Sequence, residues 1–195
     1  MVAPTRVNYK VYQGSTFGED LRWESDTKVY KTITAISKSA PLTVTAVGHG
    51  MPEGWRFKLT NILGTVELNS DTNYHIATTV ATDLLTVNAV NSLAYTTYIS
   101  GGVVEYNEPV DLAGMTGRMQ IRSSVESTAV IYEATTANGG VVLNNTTKVI
   151  TLTIPATATA LFAFSSAVYS LELINGTEVI PLLSGNLTLV KEVTR

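Results

Sequence analysis

The chain has 195 residues, a formal net charge of −3 and no cysteine, so it can bury a sizeable core but has neither disulfides nor thiol chemistry. Charged residues make up 15% of the chain and the basic ones are scattered, which gives no sign of a nucleic-acid footprint. The 29 threonines, 22 valines and 11 isoleucines favour strands over helices. We therefore expect an all-β protein.

The N-terminal segment, residues 1–14, lacks the apolar core of about 7–15 residues that defines a signal peptide, so we expect no secretion by that route. The longest mostly apolar stretch, 156–169, is broken by Thr and Ser and is shorter than the ~20 residues of a spanning helix. We expect no membrane partner. Alternation of Val7, Tyr9 and Val11 predicts a strand, either in the sheet or in an arm to a neighbouring subunit.

The sequence pattern of residues 32–105 differs from that of the flanking residues, because short predicted strands alternate there with turns that contain Gly, Asn or Asp. This spacing is typical of a small β-barrel or sandwich. The flanks, 21–30 and 103–112, are predicted to belong to one larger sheet domain. We therefore expect a discontinuous domain, 1–31 plus 106–195, with a nested domain at 32–105. The predicted strands of the nested domain are 42–47, 55–59, 74–77 and 84–88.

The second half of the chain begins with further strand patterns. Polar and apolar residues alternate over 117–123, which predicts a half-buried strand. Two more strands are predicted at 129–134 and 148–154, with turns at the Asn and Gly residues between them. Pro155 can occupy the first position of a helix, so a turn or two of helix is predicted over 156–164.

The C-terminal segment carries the strongest hairpin signal in the chain, Asn175-Gly176, between predicted strands 168–174 and 177–183. Pro181 has no N–H for a sheet ladder, so its strand should lie at an edge or carry a bulge there. Residues 184–186 (Ser-Gly-Asn) predict a second turn, and 187–193 a third strand. The expected result is a three-stranded meander.

A first resemblance concerns the nested domain. Its residues resemble the small β-domain named after the first catalytic-cysteine half domain (FCCH) of ubiquitin-activating enzymes, copies of which are frequent in bacteriophage structural proteins. The module itself carries no catalytic cysteine, so the resemblance implies no ubiquitin chemistry. The matching segments are 45–59, 66–69, Tyr74 and 95–102.

A second resemblance concerns the surrounding residues, which are similar to a phage tail or baseplate family related to the N-terminal domain of upper baseplate proteins. Ala113 stands where that family usually has threonine. The resemblance implies an Ig-like antiparallel β-sandwich that works as a virion attachment module. The matching segments are 13–23, 109–122, 159–161, 169–173 and 192–195.

Candidate catalytic and metal-binding residues are few. The only histidines are His49 and His75, without further ligands at a diagnostic spacing, so we expect no metal site. No Gly-x-Ser-x-Gly elbow is present, and the acidic pairs Glu19/Asp20 and Glu105/Glu108 are typical of solvated strand ends. We expect no enzyme activity and no cofactor.

Aromatic residues are the remaining candidates. Trp23 and Trp55 alternate with charged residues, which favours burial in the two cores. Tyr95 and Tyr98 lie in a polar, Thr-rich loop, where they could contact a partner protein or a glycan.

The expected function is that of a non-enzymatic phage virion protein of the tail, baseplate or tail-fibre attachment, synthesised in the host cytoplasm. Its expected partners are other virion proteins and copies of itself, in three-fold or six-fold assemblies, without nucleic acid or membrane. Two alternatives stay open at this point. One is a capsid decoration or head-to-tail joining protein, and the other is a host receptor- or glycan-binding module.

Overall fold

The computed structural model describes residues 4–192, which form two compact units. We call residues 4–22 with 111–192 the sandwich unit, and residues 23–110 the barrel unit. In chain order, the strands are β1 (Thr5–Arg6), β2 (Tyr9–Tyr12), β3 (Phe17–Leu21), β4 (Glu24–Thr32), β5 (Ala35–Ile36), β6 (Leu42–Thr45), β7 (Arg56–Leu63), β8 (His75–Ile76), β9 (Thr79–Val80), β10 (Leu84–Val87), β11 (Ser100–Pro109), β12 (Thr116–Arg122), β13 (Val130–Thr135), β14 (Val141–Asn144), β15 (Val149–Ile154), β16 (Ser166–Asn175) and β17 (Glu178–Val190).

Helical structure is limited in the described residues to two short pieces. A 3₁₀ turn spans Val66–Leu68 in the barrel unit, and α1 spans Ala156–Thr159 in the sandwich unit. Pro155 immediately precedes α1 in an extended conformation. The chain is all-β, as its β-branched composition predicts.

The sandwich unit has the strand order of an immunoglobulin-like fold. One sheet runs β13-β12-β16-β17 and ends on β1 and β2, which pair in parallel with β17. The other sheet runs β14-β15-β3 and is antiparallel throughout. These orders match the C′-C-F-G and D-E-B sheets of immunoglobulin domains, with the N-terminal strands beside strand G.

The core of the sandwich unit comes from the inward faces of both sheets. Gly117 on β12 leaves room for Val141 on β14, because a Cβ at Gly117 would lie 2.6 Å from Val141 Cγ1. Period-two alternation places every second residue in this core. The buried apolar side chains include Met119, Ile121, Ile150, Leu152, Ile154, Leu171, Leu173 and Leu187.

The C-terminal strands differ from the expected meander. The hairpin at Asn175-Gly176 is present, with Asn175 opposite Glu178 and Gly176 at a φ of 60°. The turn predicted at 184–186 is wrong, because β17 runs unbroken from Glu178 to Val190. A bulge lies where Glu172 pairs with Pro181, which is one of the two outcomes predicted for that proline. The last residue of the predicted third strand, at 193, lies outside the described residues.

Gly185 has a packing role instead of a turn role. A Cβ at this position would lie 1.8 Å from the carbonyl oxygen of Val7, so only glycine allows the N-terminal segment to approach β17 this closely. Val7 donates its backbone N–H to Ser184 O at 2.9 Å, and Tyr169 Oη donates to Val7 O at 2.9 Å. The predicted N-terminal strand is therefore part of the sheet.

The two sheets of the barrel unit are joined by two chain segments. In each segment, one residue hydrogen-bonds to one sheet and the next residue hydrogen-bonds to the other. Ile33 N donates to Gly102 O of β11, whereas Thr34 N donates to Thr45 O of β6. Ala77 N donates to Trp55 O beside β7, whereas Thr78 N donates to Thr86 O of β10. The sheets β4-β11-β7-β8 and β5-β6-β10-β9 are thereby joined at both sides into a small barrel.

Strand pairing defines where the barrel unit begins and ends. β11 pairs with both β4 and β7, so the segments 24–32 and 100–109 complete this unit's own sheet. The two units therefore divide at 22/23 and 110/111, whereas the sequence suggests 31/32 and 105/106. Buried residues of the barrel include Trp55, Phe57, Leu59, Leu85 and Tyr106.

Candidate functional site

Tyr98 is half-buried and packs against the barrel core. Its hydroxyl lies 3.0 Å from Ile33 O and 2.9 Å from Gly101 O. Ile33 directly follows β4 and Gly101 lies in β11, so the hydroxyl ties the loop that carries Tyr98 to two segments of the barrel. The polar end of Tyr98 is used within the unit.

Tyr95 is also half-buried against the same core, and its backbone N–H donates to Ser92 O at 3.0 Å. The following residue, Thr96, donates from its N and Oγ1 to Glu67 Oε1 at 2.8 and 2.9 Å. These hydrogen bonds, led by the backbone N–H of Thr96, lower the pKa of Glu67 below its usual range. The loop that carries both tyrosines is thus fastened to the 3₁₀ turn.

The exposed apolar residues beside this loop are aliphatic. Ile99 follows Tyr98 and is 74% exposed, because successive residues of an extended segment point to opposite sides. Its N–H donates to Leu63 O, and Leu63 is 58% exposed. Val66, 54% exposed, follows two residues after Gly64, which packs against the backbone of 97–99. We call Leu63, Val66 and Ile99 the apolar rim.

The apolar rim sits on a rigid support. A Cβ at Gly64 would lie 2.1 Å from Thr97 O, so the two loops touch backbone to backbone. Asn69 adds a clasp, accepting from Ile62 N at 2.8 Å and donating to Ile62 O at 2.9 Å. A partner that covers the rim would therefore meet a preformed surface, with little loop-ordering cost.

The two histidines have structural environments. His49 is 1% exposed, its Nδ1 accepts from Met51 N at 3.0 Å and its Nε2 lies 2.9 Å from Ala81 O, which corresponds to a neutral ring. His75 packs beside Phe57 with ring centroids 5.8 Å apart. Burial lowers the pKa of both rings. Within residues 4–192, no three His, Asp or Glu side chains are grouped to hold a metal ion.

The acidic pairs Glu19/Asp20 and Glu105/Glu108 lie along strands, and a member of each pair has a partner other than its neighbour. Asp20 accepts from Thr151 Oγ1 at 2.6 Å, and its neighbour Glu19 points to the opposite side of β3. Glu105 is ion-paired with Lys28 at 2.5 Å, while Glu108 is exposed. Trp55, one of the two tryptophans, is fully buried and donates from Nε1 to Asn107 O at 2.8 Å. Trp23 is half-buried.

A separate concave feature lies on the sandwich unit. The outward side chains of β12 and β16 border a groove of about 450 Å³. Arg118 pairs across the strands with Glu172 at 2.9 Å. The remaining lining residues are Gln120, Arg122, Ser124, Val125, Val168, Tyr169, Ser170 and Ser184.

The sequence indicates Tyr95 and Tyr98 but neither the apolar rim nor the groove. The alternation that turns Tyr98 inward could have indicated Ile99 as the exposed residue. The polar alternation of Arg118, Gln120 and Arg122 was visible in the sequence. The groove was not, because it needs the pairing of β12 with β16 and the position of Ser184 on β17.

The chain matches no protein-family model and no curated protein. In the described part of the chain, no helix is long and apolar enough to cross a membrane.

Proposed function

We propose that this protein is a non-enzymatic structural component of a bacteriophage virion, in the tail or baseplate or at the attachment of tail fibres. The segments that resemble upper baseplate N-terminal domains and the FCCH module support the proposal. So does the architecture, in which a barrel unit interrupts an immunoglobulin-like sandwich between β3 and β12. Immunoglobulin-like domains occur with many functions, so the fold alone does not define the function.

The observation that carries the proposal is the apolar rim on its fastened loops. Its three exposed side chains lie on segments that are joined backbone to backbone, and exposed apolar surface of this kind is suited to contact with another protein. Leu63, Val66 and Ile99 are each more than half exposed. Covering them by a neighbouring virion protein would remove apolar surface from water, which is the main driving force of association.

The proposed partners are other virion proteins and further copies of this chain. Tail and baseplate structures have three-fold or six-fold symmetry, so the copies would be related by those axes. The proposed location is the virion, after synthesis in the host cytoplasm.

The location is tested by immunogold electron microscopy of phage particles with antibody against this chain. Label on the tail or its tip is the expected result. Label on the capsid would instead indicate a capsid decoration or head-to-tail joining protein. Absence of label from both intact and disrupted particles, with the purified chain as positive control, would overturn a role in the virion.

The contact is tested with Ile99→Asp, which places a charge in the apolar rim. Leu161→Asp is the matched control, because Leu161 is 82% exposed and lies in the sandwich unit. Both variants are supplied in trans to phage that lack the wild-type chain. We expect Ile99→Asp to be missing from purified particles and Leu161→Asp to be present. Equal incorporation of the two variants would contradict a role for the rim.

The glycan-binding alternative at Tyr95 and Tyr98 has less support, since the Tyr98 hydroxyl is occupied by two carbonyl groups of its own unit. A glycan array separates the two functions. Binding that Tyr98→Ala abolishes while the fold is retained would favour the alternative.

A further inference from the structure

The groove on the sandwich unit contains a guanidinium without a carboxylate partner. Among residues 4–192, Arg118 is ion-paired with Glu172, whereas no acidic side chain lies within 4.0 Å of Arg122. Arg122 is half-buried. A half-buried positive charge held only by neutral groups favours the approach of an anion.

Arg122 is held in place by neutral acceptors. Its Nη1 donates to Ser127 O at 2.6 Å, and its Nη2 and Nε donate to Gln120 Oε1 at 2.7 and 3.3 Å. Gln120 in turn donates from Nε2 to Glu133 Oε2. Glu133 thus orients the amide, and the amide orients the guanidinium.

This arrangement leaves donor capacity on Arg122. A guanidinium has five N–H bonds, and three are used in the described contacts. Two N–H groups are left on a side chain whose position is already fixed. Such a preorganised pair of donors is suited to a carboxylate, which accepts from Arg with good geometry.

The rest of the groove is suited to hydroxyl groups. Ser124, Ser170 and Ser184 each offer a donor and an acceptor, and Glu172 offers acceptors. Val125 and Val168 supply apolar surface. The volume, about 450 Å³, lies in the range of small-molecule sites. A sugar ring has both polar edges and apolar C–H faces, which corresponds to this mixture.

We propose that the groove binds a terminal acidic sugar, with its carboxylate on Arg122 and its hydroxyl groups on Ser124, Ser170, Ser184 and Glu172. This site lies on a different unit from the apolar rim, and it does not depend on a structural role in the virion. The chain would then recognise an acidic glycan in addition to its assembly contacts.

The test is isothermal titration of the purified full chain with N-acetylneuraminic acid, glucuronic acid, glucose and acetate. We expect saturable binding of at least one acidic sugar and none of glucose at the same concentration. Acetate that binds as tightly as both acidic sugars would reduce the site to a general anion site and overturn the sugar assignment. No binding of either acidic sugar at millimolar concentration would overturn the proposal.

Variants at the groove locate the binding. Arg122→Gln is expected to weaken binding at least tenfold, whereas Lys10→Gln, an exposed charge removal on β2, leaves it unchanged. Because Arg122 also holds the Ser127 carbonyl, Val125→Glu and Val125→Lys provide a second pair that leaves this anchor intact. Val125 is 80% exposed, so either replacement is tolerated.

The two Val125 variants should change the affinity for the acidic sugar in opposite directions. Val125→Glu should weaken the acidic sugar through repulsion, and Val125→Lys should retain or strengthen it. Equal affinities for the two Val125 variants, together with wild-type affinity for Arg122→Gln, would place any observed binding outside the groove.

Discussion

Asn138 closes the free edge of β13 through Glu133: its Nδ2 donates to Glu133 O at 2.9 Å. The same side chain accepts through Oδ1 from Thr135 N at 2.8 Å. A side-chain amide presents a C=O acceptor beside an N–H donor, as a peptide group of a paired strand does. Asn138 therefore makes the two hydrogen bonds that a neighbouring strand would make with Glu133 O and Thr135 N. β13 is the last strand of its sheet, and such edges otherwise pair with other chains.

The first prediction concerns this edge. Asn138→Ala should expose Glu133 O and Thr135 N and lower the free energy of unfolding by about 1 kcal/mol, since Asn138 is exposed and water replaces part of the loss. The variant should also self-associate more readily. Urea unfolding and light scattering measure the two effects.

Asn88→Ala is the control for the edge prediction, because Asn88 is exposed and its side chain makes no hydrogen bond within the described residues. We expect it to behave like the wild type in both measurements. If Asn138→Ala and Asn88→Ala scatter light equally, Asn138 does not protect the edge.

The second prediction concerns Gly185 and the N-terminal strands. Gly185→Ala would bring a methyl group against Val7 O, so β1 and β2 must move away from β17. We expect a loss of roughly 1–3 kcal/mol in the free energy of unfolding. Hydrogen exchange of the amides in β2 should accelerate more than exchange in β16.

Gly18→Ala is the matched control for this strand position. Its Cβ would lie 4.0 Å from Leu152 O, an ordinary contact, so little change is expected. If hydrogen exchange of the β2 amides is unchanged in Gly185→Ala, the contact between residue 185 and Val7 O does not hold β2 against β17.

Local patterns predicted the strands well where one residue type decides the outcome. Asn175-Gly176 gives the hairpin because positive φ is required there, and Pro181 gives the bulge because it lacks an N–H. Ser184-Gly185-Asn186 has the composition of a turn, yet it lies inside β17. The reason is a contact with Val7, nearly the whole chain length away, which no local pattern contains.

The candidate site was less predictable for the same physical reason. Tyr98 was visible as an aromatic residue in a polar loop, but its hydroxyl partner Ile33 lies on a distant segment. Asn69, the last residue of the segment 66–69, bonds the N–H and C=O of Ile62, and Asn138 likewise bonds backbone groups of Glu133 and Thr135. Both contacts are local, over seven residues for Asn69 and at most five for Asn138, but they form only in the folded geometry of their loops, so composition alone does not identify them.

The third prediction compares the contributions of Tyr98 and Ile99 to the stability of the fold. Tyr98→Phe removes the hydroxyl that bonds Ile33 O and Gly101 O and should cost about 1 kcal/mol of unfolding free energy. Ile99→Asp should change stability little, because Ile99 is 74% exposed. Thermal or urea unfolding measures both. A Tyr98→Phe variant as stable as the wild type would show that the hydroxyl does not fasten the loop.

The final prediction is a loss of stability in mildly acidic solution. Burial lowers the pKa of His49 and His75 in the folded chain, whereas both return to about 6.5 on unfolding. Below that value the unfolded chain binds protons that the folded chain does not, so the free energy of unfolding falls as pH decreases. The fall begins near pH 7 and ends when the folded rings also protonate.

Urea unfolding between pH 5.5 and 8 measures this slope. His49→Asn keeps an acceptor near Met51 N and removes one titrating ring, so it should show a shallower slope than the wild type. The double variant with His75→Gln should be nearly flat over the same range. The carboxylates whose pKa is lowered, Glu67 and Asp111, titrate at lower pH and leave this window undisturbed. A double variant that keeps the wild-type slope would place the pH dependence in other groups.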